Sequence, residues 1–177
     1  MALDLATVTG YAIGRAGSIP RSGCVRLRYP DQERGVAPFN LMAFLRDRFV
    51  LEKPDLIAVE DMMGAPAIKS ADAAVAQIML HGVIEAMARI NAIRLDRVHR
   101  ATLLKHFIGR GRTGERATTK RAVIEQAKLL GYVPADCRDD NRCDAVAVWD
   151  WASAKVAGTP RKSTIGLPAD LTIGGIL

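Results

Sequence analysis

Four carboxylates stand where a folded chain has little use for them. Asp4 interrupts the apolar stretch ALDLA, Glu60 closes the apolar run LIAVE, and Asp140 and Asp144 open the stretch DNRCDAVAVWDWA. An acid inside an apolar strand costs several kcal/mol unless it is paired or bound to a cation. Asp140 and Asp144 are spaced i, i+4, which on a helix puts both on one face roughly 6 Å apart. Brought together, the acids would repel one another, and divalent cations resolve that repulsion. An oxygen-only donor set with no need of Cys or His suits Mg²⁺, with Mn²⁺ as its substitute. Two such ions about 3.5–4 Å apart can activate a water and stabilise the leaving oxygen in phosphodiester cleavage.

Such a pocket alone would repel a polyanion, so the positive charge matters. Arg94, Arg97, Arg100, Lys105, Arg110, Arg112, Arg116, Lys120, Arg121 and Lys128 fall in one stretch, opposed only by Asp96, Glu115 and Glu125. That stretch carries +7, while the whole chain carries +6, so the remainder is close to neutral. Charge concentrated in this way points to a nucleic-acid partner. Lys69, Arg100, Lys105, Arg110, Arg112, Arg116 and Lys120 are the candidate phosphate contacts. The loop GRGRTG at 109–114 lacks the Gly-Lys-Ser/Thr ending of a nucleotide-binding loop, so no nucleotide cofactor is expected. His99 and His106 read as surface residues of a basic helix. Trp149 and Trp151 point to different helix faces, so at least one belongs to the core.

The rest of the composition bounds the class. The chain has 177 residues, of which 49% are hydrophobic and 25% charged, as in an ordinary globular domain. No apolar run approaches the roughly 18 residues of a membrane span, and the N-terminus has no basic n-region, so neither a membrane nor a signal peptide is expected. Cys24, Cys137 and Cys143 are odd in number, which suggests free thiols in a reducing compartment. Cys137 and Cys143 have no second pair and no nearby His, which argues against zinc.

The elements that must position the acids follow from periodicity. Residues 1–6, 9–15 and 22–29 read as three short strands in a meander, with Gly10 helping the first turn. A helix follows over 38–49, with Pro54 as its stop. Residues 56–59 form a buried strand. Residues 70–90 form a long helix with one narrow polar stripe, Gln77, His81, Glu85 and Arg89. A helix apolar over most of its circumference buries more than one face, and a second copy of the chain is the simplest partner for the spare one. A strand over 93–98 is followed by helices over 101–107, 117–130 and 140–156, the last capped by Asp139 or Asp140. From residue 158 onward an extended tail is expected. The order describes a mixed α/β sheet with helices on its faces.

That ordered set of acids resembles the RNase H-like superfamily, and more closely the RuvC-type Holliday junction resolvases. ALDLATVTGYAI looks like the family's first strand, Asp, turn and second strand, and LIAVEDMMG like its second acidic motif. KSADAAVAQIMLHGVIEAM resembles the long helix that makes the family's dimer interface. RATLLKHFIGRGR and TTKRAVIEQAKLL resemble its basic segment, and NRCDAVAVWDWA its closing acidic helix. The resemblance runs from about residue 2 to 157. It implies an RNase H-like mixed five-stranded sheet with helices on both faces over 1–157, with 158–177 as a tail.

It further implies that Asp4, Glu60 and Asp144 hold Mg²⁺ or Mn²⁺, and that Lys105 and Lys120 stand near the scissile phosphate. The family's fourth acid falls on Asn141, one residue after Asp140. Either Asn141 serves as a neutral ligand or Asp140 reaches in, and the second negative oxygen favours Asp140. Met62 and Met63 replace an aromatic residue, and Met63 could wedge against bases. The implied protein is a cytoplasmic, nucleoid-associated, bacterial or viral endonuclease. It would act as a homodimer through helix 70–90 and cut branched DNA. A non-catalytic junction-binding protein, or a nuclease of the superfamily on another nucleic acid, is the alternative.

Overall fold

The computed structural model describes residues 1–62, 71–111 and 115–158. Lys69, Met63, Arg112 and the tail from 159 lie outside them. The elements in order are β1 (Ala2–Asp4), β2 (Val8–Ile13), β3 (Arg21–Arg26), α1 (Val36–Leu51), β4 (Leu56–Glu60), α2 (Ala71–Ile90), β5 (Arg94–Val98), α3 (Arg100–Ile108), α4 (Arg116–Leu129) and α5 (Asp140–Ala157).

The five strands form one sheet in the order β3-β2-β1-β4-β5. β1 pairs antiparallel with β2 and parallel with β4, and β4 pairs parallel with β5. The sheet is thus the mixed five-stranded one expected from the sequence. Its two faces bury different sets. Leu3, Ile57 and Val59 face α1 and α2, together with Leu41, Leu45, Leu80 and Ile84. Ala2, Ala12 and Ala58 face α3, α4 and α5, together with Leu103, Phe107, Val123, Val146 and Trp149. The second face is a layer of alanines, so the helix lying on it can approach closely. That helix is α5, which is buried along most of its length from Cys143 to Ala152.

Three local readings are corrected. Gly10 does not help a turn: it lies inside β2, directly opposite Asp4. A Cβ there would stand 1.9 Å from the backbone oxygen of Asn141, so glycine is needed to admit the first turn of α5 against the sheet. Pro38 does not start α1, which begins two residues earlier, because a proline in the first helical turn gives up an N–H with no partner to lose. His106 is not a surface residue: its Nε2 is 2.9 Å from Oδ2 of the buried Asp150, whose Oδ1 accepts from the Tyr132 hydroxyl at 2.8 Å. Trp149 is core, and Trp151 lies under the Lys155 ammonium.

α2 is long and apolar enough to cross a membrane, with a mean hydropathy of 1.3 over 18 residues. The 20-residue helix splits into two faces. Leu80, His81, Ile84 and Ala88 are buried against the fold, while Ile78, Gly82 and Ala86 lie exposed at i, i+4 and i+8. No described residue lies within 4 Å of a Cβ built at Gly82.

Candidate active site

β1 and β4 are adjacent and parallel, so their C-terminal ends lie side by side. Asp4 ends β1 and Glu60 ends β4. α5 enters over the same edge, where the Asp139 side chain caps it by accepting from the Arg142 N–H at 3.1 Å. The close approach at Gly10 brings Asn141 and Asp144 down beside Asp4. Asp4, Glu60, Asn141 and Asp144 therefore line one cleft of about 260 Å³, although they come from three distant segments. The cleft is completed by Asp61, by Gln77 and His81 from α2, by Arg100 from α3, and by Arg116 and Lys120 from α4.

The carboxylates pay for their crowding in acidity. Burial pushes Asp4 up to about 8, and the neighbouring Asp144 and Glu60 add to the rise. Burial likewise pushes Asp144 up to about 6 against the pull of Arg100. Glu60 is raised by burial, and its ion pair with Arg100 works against that rise. In that pair Arg100 Nη1 donates to both Glu60 oxygens, at 2.9 and 3.2 Å. Lys120 forms an ion pair with Asp140.

The sequence-selected residues are thus sorted by position. Asp4, Glu60, Asp144, Asn141, Arg100, Arg116 and Lys120 meet in the cleft. Of the two residues weighed as the fourth donor, Asn141 lines the cleft, while Asp140 is paired with Lys120 at its margin. Lys105 does not reach the cleft. α3 buries Leu103, Leu104, Phe107 and Ile108, which leaves Lys105 exposed on the opposite face. Arg110 is exposed after the end of α3.

Three cleft residues were not singled out from the sequence. Asp61 follows Glu60 at the strand end. Gln77 and His81 belong to the polar stripe of α2, to which the sequence assigns no role in a site. His81 Nδ1 lies 2.9 Å from Arg97 Nη1, and since a guanidinium only donates, the proton of the neutral ring sits on Nε2. Burial, with Arg97 second, holds His81 below the ordinary histidine range.

The donors fit a hard divalent cation in their chemistry. They are carboxylate and amide oxygens, and the Gln77 Oε1 is buried with no hydrogen-bond partner among the described residues. They are not closed around one: among the described residues, no three acidic, histidine or cysteine side chains are grouped tightly enough to hold an ion. Glu60 is turned to Arg100 instead.

A mixed sheet with acids at the ends of its two central strands and at the start of the helix that crosses them defines an RNase H-like, RuvC-like fold. Among solved structures, Thermus thermophilus RuvC matches with a TM-score of 0.67 at 15% identity, covering 90% of this chain and 96% of that one. T. thermophilus RuvC in complex with a Holliday junction substrate matches at 0.66, again with 15% identity and the same coverage. The yeast mitochondrial Holliday junction resolvase Ydc2 matches at 0.52 and 12% identity, covering 89% of this chain and 79% of that one. No family model matches the chain, and no curated protein matches it in sequence.

Proposed function

We propose that the chain is a divalent-metal-dependent endonuclease that resolves four-way or otherwise branched DNA junctions. The observation that carries this reading is the meeting of Asp4, Glu60 and Asp144 in one cleft of a RuvC-like fold, with Arg100, Arg116 and Lys120 along the same walls. The solved structures of similar fold include the yeast mitochondrial Holliday junction resolvase Ydc2 and T. thermophilus RuvC in complex with a Holliday junction substrate.

Asp4, Glu60 and Asp144, with Asn141 as a neutral donor, would hold Mg²⁺ or Mn²⁺. When bound, such ions supply activation of the attacking water and stabilisation of the leaving oxygen. Lys120 and Arg116 offset the charge of the incoming phosphate, and Asp140 orients the Lys120 ammonium. His81 offers a neutral Nε2–H to the cleft. Arg110 and the remaining basic residues of 94–128 hold the DNA backbone outside it.

Two strands of a junction must be cut together, and a two-fold dimer presents two clefts. The exposed Ile78–Gly82–Ala86 face of α2 is the surface proposed for that dimer. Its small residues let two helices approach closely.

The test is cleavage of a labelled immobile four-way junction beside matched duplex, single strand and RNA–DNA hybrid, with Mg²⁺, Mn²⁺ or EDTA. Paired symmetric nicks on the junction, lost in EDTA and in Asp4→Asn, are the expected result. Cleavage of the hybrid or duplex instead would move the protein to another substrate. Tight junction binding with no cleavage of any substrate would leave a binding protein.

A further inference from the structure

The geometry points to Arg100 as a built-in counter-ion that must release Glu60 before the carboxylates can close on a divalent cation, and that is then free to take a phosphate oxygen. This rests on the nuclease reading for its second half and on the cleft alone for its first.

The Arg100–Glu60 pair is set up for exchange. Glu60 sits at the end of a central strand with its side chain only 12% exposed, so its carboxylate is held by the sheet and cannot swing out to solvent. Arg100 is anchored differently. It is the first residue of α3, whose preceding residue, His99, caps the helix by accepting from the Ala101 N–H at 3.3 Å. Its backbone is fixed, while its side chain is 35% exposed and lines the cleft.

Only one of its nitrogens is engaged. Nη1 bridges both Glu60 oxygens, and the remaining guanidinium donors make no hydrogen bond among the described residues. Both Glu60 oxygens therefore accept from Arg100, which sets a positive charge where a cation would bind, while most of the Arg100 fork stays open. A guanidinium fork matches two oxygens of a phosphate as well as those of a carboxylate. A cation drawn to Glu60 would thus meet the Arg100 charge already beside it. Exchange of a monovalent for a divalent partner on Glu60 would leave Arg100 facing the entering backbone.

The test is Mn²⁺ binding to the full-length protein without DNA, by titration calorimetry, for wild type, Arg100→Gln and Arg116→Gln. Arg116 lines the same cleft but makes no bond to Glu60, so it reports what loss of a nearby positive charge does by itself. Arg100→Gln is expected to bind Mn²⁺ about tenfold tighter than wild type, about 1.4 kcal/mol, the scale of one charge-assisted hydrogen bond. Arg116→Gln is expected to shift affinity less than threefold.

At saturating Mn²⁺, Arg100→Gln should cut the junction more slowly. That opposition of tighter ion and slower cleavage is one that a merely structural role would not give. Equal tightening in both variants, or weaker binding in Arg100→Gln with its circular dichroism intact, would overturn the proposal. Junction cleavage by wild type with unchanged Mn²⁺ affinity in Arg100→Gln would sink the counter-ion and leave the nuclease standing. Tightening in Arg100→Gln without cleavage of any nucleic acid would do the reverse.

Discussion

Asp4 carries the sharpest consequence of a single side chain. Its carboxyl is pushed up to about 8 by burial and by two neighbouring acids. In the unfolded chain it returns to the ordinary Asp range near 3.9. A group whose folded value is raised adds its stability below the unfolded value and loses it as pH climbs through the folded one. The metal-free protein is therefore expected to lose stability from pH 5 to pH 8.5. Asp4→Asn is expected to raise the metal-free melting temperature by about 2–4 °C at pH 8.5, roughly 1 kcal/mol for a chain of this size. The gain should be smaller at pH 5, and the variant should bind no Mn²⁺. Paired melting curves check the sign.

The acids were legible because an acid in an apolar strand has few innocent explanations. Arg100 was legible as a cation but not as the partner of Glu60, since nothing local ties a residue at 100 to one at 60. Gln77 and His81 were hidden by the same periodicity that revealed their helix: a polar stripe looks alike whether it faces water or a cleft. Lys105 shows the converse, a residue placed near the chemistry by resemblance that helix phase turns to the opposite face.

At the level of elements, the site depends on how closely α5 lies on the sheet. Ala2, Ala12 and Ala58 make that face shallow, and Gly10 leaves room for the Asn141 carbonyl. Gly10→Ala is expected to cost about 2–3 kcal/mol by overpacking, roughly 5–10 °C in melting temperature. The surviving folded protein should also cut about 100-fold more slowly, because the shift separates Asp144 from Asp4. Denaturation and cleavage on the same sample measure both. Strand and helix order could be read from periodicity alone, and residue type narrowed the cap to Asp139 or Asp140, of which the structure uses Asp139. The register that sets Gly10 against Asp4 could not, because pairing is a long-range choice and a glycine inside a strand looks like a turn residue.

The whole molecule adds the question of assembly. A Cβ at Gly82 meets no described residue within 4 Å, and glycine is the poorest ordinary helix former apart from proline. Gly82→Glu should therefore leave the fold intact while placing a charge on the proposed dimer face. Sedimentation is expected to show monomers, and junction cleavage should change from paired cuts to single nicks. An unchanged dimer would remove α2 as the interface. The spare apolar face of this helix was legible in the sequence as a surplus of apolar residues. Which residues face outward was not, since that depends on which side the sheet takes.

The three acids that meet in the cleft enter the chain at positions 4, 60 and 144, and the helix bearing the third is also the one that covers half of the sheet. During synthesis, the cleft proposed to hold the metal therefore cannot be assembled before residue 144 has been added. A chain still on the ribosome, or clipped ahead of residue 140, has two of the acids and neither the third nor the helix that seals its core. Such partial chains cannot assemble the cleft on which the proposed cleavage rests.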